Sequence, residues 1–184
     1  MSKVGIFFGT DTGTTRKIAK LIHKALGDDV ADKPLNINRV VTDTFMQYSK
    51  LILGTPTYGS GELPGIDAEC QEESWAEFMP NFDELDLAGK TIALYGLGDQ
   101  VNYPDEFVDA LGELFDSVEE AGADVVGRWP TTGYQYNSSA ADDEGEFVGL
   151  VLDNDNQAEL HAERIEKWVA QIKEEMKLGE GVTA

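Results

Sequence analysis

The chain has 184 residues, enough for one domain with a sizeable core and too few to expect two, so a single domain over 1–184 is expected. Its 35 acidic against 14 basic residues give a formal charge of −21, which argues against nucleic acid or an anionic membrane as partner and suits a basic protein, although acidity also serves plain solubility. With 41% apolar residues, no run near the roughly 18 that span a bilayer, a short "KVGIFF" start unlike a secretory signal, and one cysteine, Cys70, the composition predicts a cytoplasmic globular protein without an internal disulfide.

Taken in chain order, "KVGIFF" at 3–8 is the first apolar run of strand length. It is followed at once by "GTDTGTT", residues 9–15, and then by a helical stripe of Ile18, Leu21, Ile22, Ala25 and Leu26 closed by Gly27. Further strand-like runs are "LNINRV" at 35–40, "KLILG" at 50–54, "TIALYG" at 91–96, "ADVVGRW" at 123–129 and "FVGLVL" at 147–152. A second stripe of Phe107, Ala110, Leu111, Leu114, Phe115 and Val118 predicts a helix opened by Pro104, with Asp105 and Glu106 in its first turn, and closed by Gly122. Ile165, Trp168, Val169, Ile172 and Met176 form a third.

Buried strands alternating with amphipathic helices imply an α/β fold: a doubly wound, five-stranded parallel sheet with helices on both faces. Residues 60–74 and 130–146 are polar and without period, and are expected in surface loops, the second interrupting the last strand. The tail "GEGVTA" is expected to fray.

The threonine turn raises a chemical question, because it places four hydroxyls and no lysine between a strand and a helix. A helix N-terminus offers unpaired N–H groups and about half a positive charge, a ready site for phosphate, and hydroxyls add donors without charge. The turn lacks the lysine of a nucleoside-triphosphate loop and the G-x-G-x-x-G of a dinucleotide fold, so a single terminal phosphate fits best. The plainer alternative is that Thr14 or Thr15 merely caps the helix.

In an open doubly wound sheet, ligands sit beyond the carboxyl ends of the strands. The loops "GTPTYGSGELPG", 54–65, and "GLGDQVNYPDEF", 96–107, should therefore line the same crevice, each with one aromatic at its tip, Tyr58 and Tyr103. Two aromatics facing one crevice suggest a flat π ligand between them.

"TDTGTT", "PTYG" and "GLGDQVNYPDEF" together resemble the phosphate loop and two flavin loops of flavodoxins, along nearly the whole chain. Flavodoxin and its FMN are themselves a standing example of the switch-point rule, so that location comes with the family. The loop at 130–146 followed by "FVGLVLDNDNQ" resembles the insertion of long-chain flavodoxins, and "LPGIDAECQEESW" resembles an extra insertion of flavodoxins associated with nitrogen fixation.

The resemblance implies that Thr10, Asp11, Thr12, Gly13, Thr14 and Thr15 bind the FMN phosphate, while Thr55, Pro56 and Thr57 border the ribityl chain. It places Tyr58 on the inner face of the isoalloxazine and Tyr103 on the outer, although relatives carry tryptophan or leucine where Tyr58 stands. Gly96, Leu97, Gly98 and Asp99 would meet the pyrimidine end, with Asp155 nearby. It also implies that N5 of the singly reduced flavin donates to a carbonyl that swings inward, that of Gly59, where glycine makes a peptide flip inexpensive; a plain turn glycine is the alternative.

The function so implied is a low-potential one-electron carrier using FMN, not an enzyme, with flavodoxin reductase or pyruvate oxidoreductase as donor and nitrogenase reductase as acceptor, the carrier being a monomer. At an effective dielectric of about 20, one carboxylate roughly 8 Å from the flavin costs about 2 kcal/mol, or roughly 90 mV of one-electron potential, so acidic charge serves redox tuning as well as steering. An FMN-dependent quinone reductase and a non-flavin phosphate-binding module on the same architecture are the competing readings. Tyr103 over the outer face speaks against the first and the paired tyrosines against the second.

No substrate-converting or metal centre is expected. His23 and His161 read as solvated helix residues, and Trp75, Trp129 and Trp168 as packing. Cys70 sits among acids that would raise its pKa and weaken it as a nucleophile.

Overall fold

Leu51 to Leu53 and Ile92 to Leu94 are buried completely, because their strands, β3 (Lys50–Thr55) and β4 (Thr91–Leu97), run side by side at the centre of a parallel sheet covered on both faces. The computed structural model describes residues 3–178. Beside β3 lies β1 (Gly5–Phe8), and beyond β1 the edge strand β2 (Leu35–Asn36). On the other side of β4 the last position is shared by β5 (Asp124–Val126), paired with Thr91–Ala93, and β9 (Leu150–Leu152), paired with Tyr95–Leu97. The interrupted last strand is thus one strand position filled from two pieces of chain. The "GEGVTA" tail lies outside the described residues.

Side chains alternate across the sheet, and this assigns the helices to faces. Tyr95 reaches α1 (Thr14–Leu26), donating its hydroxyl hydrogen to the Thr15 carbonyl at 3.2 Å. Its ring fills the space where Gly54 lacks a Cβ. The next residue, Gly96, faces α4 (Asp109–Glu120), where an added Cβ would lie 2.9 Å from Leu111 Cβ. The last helix, α5 (His161–Glu175), packs beside α1 and buries Ile165, Trp168, Val169, Ile172 and the following Met176.

Several elements differ from the sequence expectations. On α1 the buried arc is Thr15, Ile18, Ala19, Ile22 and Leu26; at about 100° per residue Leu21 falls outside it and is 45% exposed, and Ala25 is exposed too. The second strand ends at Asn36, whose side chain accepts from the Asn38 N–H and turns residues 37–39 into a 3₁₀ turn. Helix α4 begins at Asp109, not behind Pro104, because the Pro104 carbonyl is taken by the N–H groups of Asn137 and Ser138.

Two short helices, α2 (Thr42–Met46) and α3 (Trp75–Phe78), were not anticipated. Each owes its place to buried aromatics: Phe45 packs on Phe7, Phe78 and Phe82. The 130–146 stretch is not irregular either, since it carries β6 (Trp129–Pro130), β7 (Asp142–Asp143) and β8 (Glu146–Phe147) in a small antiparallel sheet. The Arg128 guanidinium, 3.0 Å from Asp143, spans its edge.

Candidate functional site

The chain turns to opposite sides after β1 and β3, so the loops that leave their carboxyl ends open into a crevice. A cleft of about 270 Å³ occupies it, lined by the threonine turn, the segment after β3, the segment after β4, and Asn154 with Asp155 beyond β9.

The threonine turn is shaped by two interactions. Thr10 Oγ1 accepts the Gly13 N–H at 2.8 Å, and Gly13 takes the left-handed conformation, φ 97°, that ends the turn without a Cβ penalty. Gly13 is the N-cap of α1 and has no side-chain cap, so neither Thr14 nor Thr15 serves as one. Among the described residues no acceptor meets the N–H groups of Thr14, Thr15 or Arg16, and the first turn carries no acidic residue. This helix end is fit for an anion. Asp11 does not oppose it, because its carboxylate turns away to accept the Gln71 N–H at 3.0 Å.

After β3, Thr55 is buried and donates to the Pro56 carbonyl at 2.8 Å, whereas Thr57 Oγ1 is buried in the cleft wall with no hydrogen-bond partner. An orphaned hydroxyl in a ligand-sized cleft marks a place where a polar ligand atom would complete the bonding. Tyr58 and Glu62 then exchange backbone hydrogen bonds across a tight turn in which Gly59 and Gly61 both have positive φ. Burial, with the Cys70 thiol and the Asp11 carboxylate, pushes the Tyr58 phenol up, against the Asp11 N–H and Thr12 hydroxyl that lower it; these neighbours set the phenol beside the threonine turn.

After β4, Asp99 organises the opposite wall. Its Oδ1 accepts from the N–H of Val101 and Asn102 and from Asn156 Nδ2, its Oδ2 accepts from Asn102 Nδ2, and its carbonyl accepts from the Tyr103 N–H. Burial would raise this carboxyl, but those donors outweigh it and hold the group below the usual carboxylate range. Tyr103, 52% exposed, stands at the mouth.

A second layer fixes this wall. Fully buried Asp153 accepts from the Gln100 N–H at 3.1 Å and Nε2 at 2.8 Å through Oδ2, and from the N–H groups of Asp155 and Asn156 through Oδ1. Gln100 Oε1 in turn accepts the Gln135 N–H at 2.6 Å, which ties the 130–146 stretch to the cleft. Phe107, Tyr134, Tyr136 and Phe147 pack together behind it.

Of the residues singled out by sequence, Thr12, Thr14, Pro56, Thr57, Tyr58, Gly59, Leu97, Gly98, Asp99, Tyr103 and Asp155 line the cleft. Thr10, Asp11, Gly13, Thr15, Thr55 and Gly96 do not: the first three shape or brace the turn, and the others are buried against neighbouring elements. Sequence reasoning missed Glu106, Phe107, Val108 and Asn154 on the wall, and Asp153 behind it. Phe107 was masked by its fit to the helical stripe. The polar run "DNDNQ" directly after an apolar strand was a usable signal for Asp153.

Outside the cleft, His161 is not a solvated helix residue but buried, whereas Trp75, Trp129 and Trp168 are buried packing residues as expected. Cys70 is buried, and burial is the main reason that its thiol lies above its ordinary range. Among the described residues no group of three His, Cys, Asp or Glu side chains is placed to hold a metal ion. The cleft thus offers an anion site at one end, two tyrosines, and Asp99, Glu106 and Asp155 as negative charges about its wall.

A family model described as Flavodoxin matches residues 6–168. The chain is 54% identical to a flavodoxin of Klebsiella pneumoniae over 173 residues, covering 94% of this chain and 98% of the relative. It is 48% identical to flavodoxin 1 of Escherichia coli K12 over the whole of both chains. Among solved structures it resembles a Fusobacterium nucleatum flavodoxin bound to flavin mononucleotide, at 35% identity and TM-score 0.85, covering 95% of this chain and 99% of that one.

Proposed function

The chain belongs to the flavodoxin family, and from that premise we propose that it is a low-potential shuttle delivering electrons to nitrogenase reductase. It binds FMN and carries electrons, as its family does. FMN supplies the redox chemistry, accepting one or two electrons, and the protein sets where it sits and at what potential.

The uncapped α1 terminus beside Thr12 and Thr14 would take the phosphate, the orphaned Thr57 hydroxyl a ribityl oxygen, and Tyr58 and Tyr103 the two faces of the ring. Leu97, Gly98 and Asp99 would meet its pyrimidine edge, and the Gly59 carbonyl is the group that would turn toward N5. Left-handed backbone at Gly59, φ 52°, is what makes that turning accessible. The observation that carries this reading is the conjunction of unpaired N–H groups and an orphaned hydroxyl along a cleft that Tyr58 and Tyr103 both line.

Carboxylates near the flavin disfavour the second electron, which adds negative charge. The same surface suits transient docking to basic redox proteins, with flavodoxin reductase or pyruvate oxidoreductase as donor, in the cytoplasm. The "LPGIDAECQEESW" stretch supports the nitrogenase assignment by its resemblance, and the monomer is the form in which a shuttle leaves after transfer.

An anaerobic reductive titration of the FMN-loaded protein tests the carrier reading. Two well-separated one-electron steps, followed by electron delivery to purified nitrogenase reductase at a rate that falls with added salt, are expected. Direct two-electron reduction with turnover of quinone would replace it with the enzyme reading, and a rate indifferent to salt would remove the electrostatic docking.

A further inference from the structure

A second concave site lies away from the flavin cleft, between α1 and the edge strand β2, and its charge is opposite to that of the protein as a whole. It is a groove of about 730 Å³. Arg16 and Lys20 line it from α1, Lys33 from the approach to β2, and Arg39 from the turn after it. These are four of the chain's 14 lysines and arginines, gathered in one place on a molecule of formal charge −21. Among the described residues none of the four forms an ion pair. All four line the same groove and, among the described residues, none is paired with a carboxylate, so their charges add where a ligand would enter, on a chain in which acidic residues far outnumber basic ones.

The groove is not only cationic. Pro34, half-exposed Leu35 and Val40 give it an apolar wall, and the Arg16 guanidinium lies 5.5 Å from the centre of the Phe8 ring. Inorganic phosphate would satisfy the cations and leave that wall wet. An uncharged ring would cover the wall and leave the cations idle. The volume falls within the roughly 300–1,000 Å³ of sites for single small ligands. Arg16 and Lys20 stand one helical turn apart, with about 6 Å between their Cβ atoms, so both can reach one diphosphate group.

We propose that this groove binds a nucleoside di- or triphosphate, its phosphates held by Arg16, Lys20, Lys33 and Arg39 and its base laid on Leu35 and Pro34. A concave site with an apolar wall favours such a ligand over an acidic protein segment, which would be read by a longer and flatter basic surface. The site is separate from the flavin cleft and does not depend on how the flavin is used.

Calorimetric titration of the FMN-loaded protein with ADP and ATP tests this. Saturable binding of one equivalent is expected, with adenosine and pyrophosphate each at least tenfold weaker than ADP. The Lys20→Gln/Arg39→Gln double variant should bind ADP at least tenfold more weakly while its flavin absorbance stays as in the parent, which shows that the fold and the first site are intact. Lys173→Gln on α5, away from the groove, should change nothing. Absence of saturable binding at millimolar ADP, equal binding by the double variant, or displacement of ADP by free FMN from flavin-depleted protein would each overturn the proposal. So would binding of polyglutamate in preference to ADP, which would assign the face to an acidic protein segment.

Discussion

Asp153 Oδ2 holds Gln100 twice, through the backbone N–H at 3.1 Å and the side-chain Nε2 at 2.8 Å. The carboxylate is completely buried and every bond it accepts comes from a segment that reaches the cleft or backs it. Replacing it by asparagine keeps the shape but turns one acceptor into a donor that faces other donors. Leaving buried N–H groups unpaired costs about 1–3 kcal/mol. Asp153→Asn is therefore expected to lower the denaturant midpoint and to weaken FMN binding about tenfold, since Asp99 and Tyr103 hang from the same loop. Fluorescence titration of apoprotein with FMN measures the second effect; an unchanged affinity would show that Asp153 only supports the fold.

Thr57 is the opposite case, a hydroxyl whose absence the protein alone should not notice. Its Oγ1 is buried without a partner, so Thr57→Val removes an unsatisfied polar atom from apoprotein. Apoprotein stability should hold or rise slightly, while FMN binding weakens by about 1 kcal/mol, roughly fivefold. Thermal melts with and without FMN separate the two. A variant losing apoprotein stability while keeping full affinity would mean that the hydroxyl serves the protein and not the ligand.

How much of this was legible beforehand follows the range of the forces involved. The central strands and the threonine turn were readable because burial on both faces and helix-terminus chemistry each act within a few neighbouring residues. The start of α4 was not, because the Pro104 carbonyl is claimed by Asn137 and Ser138, more than thirty positions on. Likewise Trp75 is held by the Gly54 carbonyl at 2.7 Å and fills the space above Gly9, contacts no local pattern encodes. In the cleft, the tyrosines announced themselves as paired loop-tip aromatics. For Asp153 the polar "DNDNQ" run signals a buried acceptor after the strand, but its partner Gln100, 53 positions earlier, is brought to it only by the fold.

His161 gives the molecule a pH dependence near neutrality. Burial, and then the Arg164 guanidinium, lower its pKa, against smaller opposing effects of Asp153 and Glu159. A histidine lowered on folding binds protons better in the unfolded chain. Its contribution is therefore fully present above the unfolded value near 6.5 and is lost as pH falls from there through the folded value. Thermal midpoints at pH 7.5 and 5.5 should consequently fall further in the parent than in His161→Gln. Equal drops in the two proteins would place the sensitivity in the carboxylates instead.

Asp155 tests whether the acidic wall tunes the flavin. It lines the cleft, and its carboxyl is raised by burial and by the neighbouring Asp99 and Asp153 charges. An electron that enters with a proton adds no net charge, so Asp155 should leave the first reduction step nearly unchanged. The second step adds charge, and a carboxylate about 8 Å away opposes it by up to roughly 90 mV, which exposure to solvent reduces. Asp155→Asn is thus expected to raise the second potential by roughly 30–60 mV at neutral pH. Asp43→Asn on α2, which changes net charge equally but does not line the cleft, should move it far less. Equal shifts in the two variants would make overall charge, and not the placement of Asp155, the source of the tuning.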